Sequence, residues 1–547
     1  MSAVQEAPAA VRSRGTSARR DRFLARRLGL ITFALAISGS TTLLFNVVLA
    51  RKLSPTEFGD IARTFALALT VGQLTMTGVA PAVARIVAQA EDDAGRFARA
   101  RAGIWTLALF TFVVSLLFFP LALAGLAPTD PLQLALGWGV AFVYAFYFGL
   151  KMLLFVLDRA REYALFEGAS DVIFFVVLGA SAVLAPRYGL ASFSVAYGIF
   201  VVGVIAYIVR RAKTRERIVL GRAFAKHAFL TAVSTYGSVA RFPLVVSIAG
   251  LVGTRHDAAE MAVIFSLVMP LYLLPRAAGF MTFANVARRA EGAAEDVCRT
   301  VRAVSLVGAF GIFVGVLFAH PLIQLVLGAR YLEAATALMI VAVCLTPAMA
   351  SVPIANAGSA DGRVADKAAI SAFGLAVAAV GAYLLTPSHH AVGAALAVGG
   401  SMVITGGLSL VRAHFHYRLR FADIAGATVL FLCSAAAVVV QPGLALSIVV
   451  LGLSLCAIFS YARKTLALPL SVNRPEFLIA PVAGLVILCL RTSRSCSSWP
   501  SRCCSSFRAS GRVTWPRSCS PTSRSRRSCS PTCPVRSSFP CATARSS

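Results

Sequence analysis

The stretch Arg210-Arg211-Ala212-Lys213-Thr214-Arg215-Glu216-Arg217 separates two long apolar runs and is the most basic gap in the middle of the chain. Apolar runs of about 20 residues, the length that crosses a hydrocarbon core about 30 Å thick, follow one another from near residue 28 to residue 490. Lys and Arg resist translocation, so basic gaps stay on the cytoplasmic side. The stretch therefore predicts a cytoplasmic loop between two membrane-spanning helices.

Outward from this loop, basic residues recur in every second gap. The gap 82–101 contains Arg85, Arg96, Arg99 and Arg101, whereas 127–133 contains neither Lys nor Arg. Arg51 and Lys52 form the one clear exception to the alternation. The pattern predicts a multi-pass protein of the inner, cytoplasmic membrane with a cytoplasmic amino terminus.

The composition excludes a soluble protein. Hydrophobic residues make up 58% of the 547 residues and charged residues only 14%. A net charge of +29 would suit nucleic acid, but Lys and Arg are confined to gaps and tails, so membrane lipids are the expected partner and nucleic acid is not. No phosphate-binding loop, nucleophile elbow or metal-binding helix occurs, so we predict neither an enzyme nor a cofactor.

The predicted fold is an all-α polytopic membrane protein with two pseudo-symmetric six-helix bundles and about two additional carboxy-terminal helices. Fourteen helices are predicted, near 28–50, 59–80, 103–126, 131–156, 166–186, 190–210, 227–252, 259–284, 303–327, 332–356, 366–386, 391–412, 421–440 and 443–461, with an incomplete fifteenth at 476–490. The predicted divisions are a disordered basic cytoplasmic tail (1–27), a first bundle (28–210), a linker (211–226), a second bundle (227–413), further helices (414–490) and a tail (491–547).

The tail 491–547 differs from the rest of the chain. It contains 18 Ser, 11 Arg and 7 of the 12 Cys, but no Lys, Asp, Glu, Leu, Ile or Met. Such a segment cannot bury a core and is expected to be disordered. Its abrupt start within an apolar run favours a reading-frame slip over an Arg/Ser interaction tail or a cysteine framework.

The seventh predicted helix carries the main candidate for substrate binding. Thr231, Ser234, Ser238 and Arg241 recur at spacings that place them on one helical face. Arg241 would lie on the order of 20 Å into the membrane, at a depth where a charged side chain requires a wet cavity or an acidic partner. Two alternatives stay open: contact with an anionic substrate, or an ion pair with Asp171 or Glu167.

Three further residues are candidates for substrate binding. Arg276 follows two prolines in the eighth helix, although it is close enough to the cytoplasmic end to extend to the surface. Asn46 belongs to a polar stripe in the first helix that either lines the cavity or joins helices. Arg63 in the second helix is the third candidate, although it also lies near Asp60 and could simply pair with it.

Carboxylates supply the candidates for ion coupling. Glu167 and Asp171, together with Glu162, begin the fifth predicted helix and could bind a proton or a cation, unless they are solvated at a cytoplasmic end. Asp60 is the third candidate. No metal site is predicted, because His389-His390 has no acidic or cysteine residue nearby in the sequence.

Two stretches resemble a known family. Residues 50–59 (ARKLSPTEFG) with 78–85 (GVAPAVAR), and the later stretch Gly328-Ala329-Arg330-Tyr331 with Ala357-Gly358 and Gly362-Arg363, are similar to polysaccharide transporters, the O-antigen-flippase branch of the multidrug/oligosaccharidyl-lipid/polysaccharide exporter superfamily. The pattern departs from the family at Ala258-Ala259-Glu260-Met261.

The resemblance implies a flippase that moves polyprenyl-pyrophosphate-linked oligosaccharide across the cytoplasmic membrane by alternating access, for polysaccharide or lipopolysaccharide (O-antigen) synthesis. Glycosyltransferases or a polymerase would be partners, and a monomer is expected. The alternatives are a multidrug-type cation antiporter of the same superfamily, or a membrane scaffold for glycosyltransferases that transports nothing.

Overall fold

The computed structural model describes residues 40–214, 221–287, 293–361 and 363–440. All of them belong to the first of two units into which the chain divides, residues 1–465 and 466–547. The predicted tails 1–27 and 491–547, and the predicted helices 443–461 and 476–490, lie outside the described residues.

The described residues form helices and contain no strand. Helix α1 covers 40–52 in the described part. The other α-helices are α2 Pro55–Ala88, α3 Asp93–Ser115, α4 Phe118–Leu121, α5 Pro131–Val156, α6 Ala160–Leu184, α7 Ala191–Arg211, α8 Arg222–Val239, α9 Arg241–Val252, α10 Arg255–Val268, α11 Leu273–Ala287, α12 Ala293–Leu317, α13 Ala319–Val326, α14 Ala334–Ala360, α15 Val364–Tyr417 and α16 Ala425–Val440. Short π or 3₁₀ turns occupy Ala122–Leu126, Pro186–Tyr188, Met269–Tyr272, Ala329–Tyr331 and Phe421–Ile424.

Nine helices in the described part of the chain are long and apolar enough to cross a membrane, and α8 with α9 adds a bent tenth. Helix α15 has 54 residues and is kinked at His390, where φ is 51°. At about 1.5 Å per residue, each side of this kink is about 40 Å long and spans a membrane by itself, as the predicted eleventh and twelfth helices do. The all-α polytopic membrane fold is confirmed.

Prolines break two helices that the sequence pattern predicts as continuous. Pro243 has no N–H to donate to the carbonyl of Val239, and the chain bends by 59° between α8 and α9. Pro321 likewise leaves the carbonyl of Leu317 without its helical donor, and α12 ends at that residue. Both breaks therefore have a local covalent cause.

Gaps along the chain alternate between the two ends of the bundle. Predicted non-cytoplasmic gaps contact one another: Arg187 pairs with Glu57 at 2.8 Å, and Arg330 Nη1 donates to the carbonyl of Leu53 at 3.0 Å. Basic gaps meet at the opposite end, where Arg302 pairs with Asp423 at 2.7 Å. We call these the outer and the inner end, following the sidedness that the charges predict.

Arg51, the exception in the charge pattern, has a structural role at the outer end. Its guanidinium donates to the carbonyls of Leu325 and Val326, the last two residues of α13. These carbonyls have no helical donor, and the carboxyl end of a helix attracts positive charge. The cation at this gap therefore caps a helix.

Helices α2, α3, α5, α6 and α7 pack against one another, and α14 packs against α11, α12 and α15. Helix α2 joins the two sets through its contacts with α8, α9 and α10, and we call this contact the α2 seam. The seam is closed at the outer end, where Arg255 of α10 pairs with Asp60 of α2 at 2.9 Å. It is also closed toward the inner end, where Arg85 Nη1 lies 3.2 Å from His227 Nδ1.

Candidate functional site

The break between α8 and α9 places a buried arginine inside the helical bundle. Arg241 is the first residue of α9, only 5% of its surface is exposed, and its α-carbon follows the bend at Ala240. Because the helix changes direction at this point, the four polar residues predicted on one face do not form a continuous stripe. Ser234 is 2% exposed and its Oγ donates to the carbonyl of Thr231, whereas Ser238 is exposed and donates to the carbonyl of Thr235.

The Arg241 guanidinium has a neutral environment. Nη1 donates to the hydroxyl of Thr405 on α15 at 3.3 Å, and Nε has no hydrogen-bond partner in the described part of the chain. Gly374 allows this approach, because a Cβ at that position would collide with Nη2. No carboxylate of the described residues lies within 4 Å of Arg241, so the ion pair with Asp171 or Glu167 is not formed in this structure.

A second arginine lies in the electrostatic neighbourhood of the first. The eighth predicted helix is interrupted at Pro270, the first of its two prolines: α10 ends at Val268, a 3₁₀ turn follows, and α11 begins at Leu273. The hydroxyl of Tyr272, in this turn, lies in the field of both Arg241 and Arg276. Arg276 is exposed, so this cation is accessible while Arg241 is not.

Asn46 joins α1 to the α2 seam. Its Nδ2 donates to the hydroxyl of Ser266 on α10 at 2.5 Å and to the carbonyl of Thr42 at 3.1 Å, and the residue is 1% exposed. A cavity of only about 10 Å³ adjoins it. In this conformation Asn46 therefore holds helices together, the second of the two roles that the sequence allowed.

A buried ionic cluster lies within α5 and α6. Lys151 Nζ donates to Glu167 Oε1 at 2.9 Å, and the Tyr147 hydroxyl donates to the same oxygen at 2.6 Å. Glu167 is 1% exposed, and its Oε2 has no hydrogen-bond partner among the residues that the structure describes. Asp171, one turn further along α6, is 4% exposed. The expectation that these carboxylates could be solvated at a cytoplasmic end is therefore wrong.

Sequence reasoning gave Lys151 no role, although the structure buries it beside Glu167. Its ammonium group also lies 5.3 Å from the ring centroid of Tyr147 and 5.0 Å from that of Tyr163. A signal was present, since Lys151 falls inside the apolar run 131–156 and four residues after a tyrosine.

Asp60 and Arg63 lie at the outer end of the α2 seam. Asp60 pairs with Arg255 at 2.9 Å and lies 3.9 Å from Arg63, whose Nη2 donates to the carbonyl of Gly125. Asp60 is therefore engaged in closing the seam, whereas Arg63 bonds the turn that follows α4. The structure does not bring them together with Arg241.

Comparisons with known proteins identify the fold. Lipid II flippase MurJ in an inward closed conformation superposes with a TM-score of 0.61 at 12% identity, over 80% of this chain and 99% of that one. The chain has the fold of the MOP superfamily of transporters. A eukaryotic MATE transporter gives a TM-score of 0.54 at 15% identity, over 75% of this chain and 98% of that one.

An inward-facing multidrug resistance MATE transporter of the same superfamily gives a TM-score of 0.53 at 12% identity, over 70% of this chain and 94% of that one. No family model and no curated protein matches the sequence. At these identities the likeness establishes the fold, while the substrate has to be argued from the residues of this chain.

Proposed function

We propose that the protein is a membrane transporter that flips a polyprenyl-diphosphate-linked oligosaccharide by alternating access. The observation that carries the proposal is Arg241, a buried guanidinium whose only hydrogen-bond partner among the described residues is a hydroxyl. An arginine at the centre of a membrane helix costs about 2.5–3.5 kcal/mol on insertion scales. A functional requirement for a buried cation explains why this cost is tolerated.

The chemistry of the head group fits two arginines. A diphosphate offers several anionic oxygens, and guanidinium groups bind such oxygens through paired, charge-assisted hydrogen bonds. Arg276 provides an exposed cation, and it acts on the hydroxyl of Tyr272 together with Arg241. A head group captured at Arg276 would reach Arg241 when the helices around α9 separate, while the lipid tail stays in the bilayer.

The fold supports a transporter of lipid-linked cargo. A protein named as a lipid II flippase shares it over 80% of this chain. Among the predicted coupling residues, we assign coupling to Asp171, which is 4% exposed and lies one turn from Glu167 on α6. Glu167 is already neutralised by Lys151 at 2.9 Å. Asp60 is instead held by Arg255 at the outer end.

A multidrug cation antiporter is the second candidate, because buried carboxylates can also bind cationic substrates and MATE transporters share the fold. Lys151 argues against it, since this ammonium group already neutralises Glu167 and repels a second cation. A scaffold that transports nothing has no use for an arginine buried without a carboxylate.

The test is transport in reconstituted vesicles. Protein in liposomes is given a fluorescent polyprenyl-diphosphate oligosaccharide, and dye in the outer leaflet is quenched at intervals. We expect flipping that a short-chain polyprenyl diphosphate inhibits more strongly than the corresponding monophosphate, and that a cationic dye does not inhibit. Arg241→Ala should slow flipping roughly ten- to hundredfold, since charge-assisted hydrogen bonds contribute about 1.5–3 kcal/mol.

Arg299→Ala is the matched control, because Arg299 is an exposed arginine of the inner end that pairs with Glu295 at 3.1 Å. It should flip at the wild-type rate. Dye transport without lipid flipping would establish the antiporter instead. Equal losses in both arginine variants would show that Arg241 has no specific part in transport.

A further inference from the structure

Outside the candidate site, three potential metal ligands converge at the outer end of the bundle. Ligand atoms of His256, Glu260 and Glu333 all lie within 4.8 Å of one another. His256 and Glu260 are four residues apart on α10, so they share one face of the helix, and His256 Nε2 lies 3.4 Å from Glu260 Oε1. Glu333 immediately precedes α14.

The buried carboxylate of Glu260 is what distinguishes this cluster from a surface ion pair. Glu260 is 4% exposed, and within the part of the chain that the structure describes its Oε1 accepts no hydrogen bond. A buried anion without a donor is costly, and a bound cation would remove this cost. Asp257 and Glu333 add negative potential at Glu260 and so increase the need for a cation.

The surroundings fix the orientation of the imidazole. The ring of His256 stacks on that of Tyr331, with the centroids 6.2 Å apart and the planes 13° from parallel. Tyr331 is fully buried, and its hydroxyl has no partner among the described residues. His256 and Glu333 are partly open to the outer side, which leaves room for a water molecule as a fourth ligand.

We propose that His256, Glu260 and Glu333 form a binding site for a zinc ion at the outer end of the protein. One imidazole nitrogen and two carboxylate oxygens are ligands that Zn²⁺ accepts at about 2.0–2.2 Å, with a water completing four-coordination. Ca²⁺ and Mg²⁺ prefer six or more oxygen ligands, and the imidazole nitrogen disfavours both. Small rotations of the carboxylates suffice to bring the three ligands to one ion.

The position of the site gives the ion a structural effect. The turn that contains Tyr331 packs on the amino-terminal part of α2, since the rings of Tyr331 and Phe58 meet edge to face at 6.5 Å and Arg330 bonds the carbonyl of Leu53. A zinc ion would tie this turn to α10, the partner of α2 in the seam. Zinc would therefore stabilise the closed outer end.

The experiment measures zinc binding to the purified full-length protein after its thiols have been alkylated, which removes the cysteines as ligands. Competition with a chromogenic chelator should show one zinc ion more in the wild type than in His256→Ala, and the same loss in Glu260→Gln. Glu333→Gln, a change of an exposed side chain that leaves the fold intact, should weaken binding at least about tenfold. Zinc should raise the unfolding temperature of the wild type and of none of these variants.

His389→Ala is the matched control, because His389 is an exposed histidine of the same end and should leave binding unchanged. Equal zinc content in the wild type and His256→Ala would overturn the proposal. Loss of the ion in His389→Ala would overturn it as well.

Discussion

The proposed function rests mainly on one residue, the buried Arg241. Arg241 is enclosed by Thr405 and Gly374 of α15, which supply no charge. An ion pair with Asp171 would have given it a purely structural role, but Asp171 instead lies beside Glu167 and Lys151 in α5 and α6. Contact with substrate and an ion pair with Asp171 are the two alternatives for Arg241. They predict different outcomes when Arg241 and Asp171 are changed together.

We predict that Arg241→Lys recovers only part of the flipping that Arg241→Ala loses, because an ammonium group cannot reproduce the guanidinium fork. Asp171→Asn should not rescue Arg241→Ala. Transport in vesicles and the yield of folded protein in the membrane are the two measurements. Restoration of both by the double variant would show that Arg241 serves as a partner of Asp171 in another conformation and would refute its role in binding substrate.

Lys151 and Glu167 form an ion pair in which both side chains are at least 95% buried, so breaking it should be costly. Lys151→Met leaves the Glu167 carboxylate uncompensated, and removal of one partner of a buried pair costs about 3–5 kcal/mol. We predict a large fall in the unfolding temperature in detergent. Lys151→Met combined with Glu167→Leu should recover most of it, because no buried charge is left alone.

Arg159→Met is the control for this prediction. Arg159 pairs with Asp93 at 2.5 Å, but Asp93 is 59% exposed, and an exposed pair contributes about 0–1 kcal/mol. Equal losses of stability in Arg159→Met and Lys151→Met would contradict a special role of burial.

The sequence predicted Glu167 and Asp171 as candidates for ion coupling, but it did not show whether the two carboxylates are buried or solvated. Charges near a predicted helix end are solvated or buried depending on the neighbouring helices, and periodicity does not encode that arrangement. Lys151 was missed because the apolar run 131–156 predicts a helix but not which of its residues pack against α6. The sequence predicted Arg276 and Asn46 as candidates for substrate binding. Only the structure shows that Arg276 is exposed and that Asn46 is buried.

At the scale of helices, apolar runs predicted the existence of the spans well and their continuity poorly. The seventh predicted helix is two helices, and the residue responsible, Pro243, is visible in the sequence. A window average of hydropathy does not register the loss of one backbone donor. The same holds for Pro321 between α12 and α13.

We predict that Pro243→Ala separates stability from function. The substitution restores an N–H that can bond the carbonyl of Val239, and a proline inside a helix costs about 3 kcal/mol. The unfolding temperature should stay level or rise. Flipping should fall, because straightening the bend turns Arg241 away from Thr405. Pro321→Ala, at the break remote from Arg241, is the control and should leave the rate unchanged. Wild-type flipping by Pro243→Ala would show that the bend is dispensable.

At the scale of the molecule, alternating charge and three-dimensional contact agree on which gaps share an end. This agreement is physical: each membrane span reverses the side, so gaps two apart along the chain meet in space. The contacts between the two predicted bundles could not be derived from the charge pattern in the same way. The packing of α1 against α10 depends on the contact of Asn46 with Ser266, which are 220 residues apart and leave no local pattern.

The last prediction concerns the sidedness of the whole bundle. Ser388 lies beside the kink of α15 at the outer end, where the main-chain N–H of Ala391 donates to Asp257 at 3.1 Å, and Thr214 follows the basic end of α7. A reporter that is active only in the cytoplasm should be active when fused at Thr214 and silent at Ser388, since translocating the cluster Arg210–Arg217 is strongly disfavoured. A periplasm-specific reporter is the control and should give the reverse pattern. Equal signals at both positions would contradict the assignment of opposite ends. The inverted pattern would leave the fold unchanged but reverse its orientation in the membrane. Arg255 and the proposed zinc ligands would then lie on the cytoplasmic side.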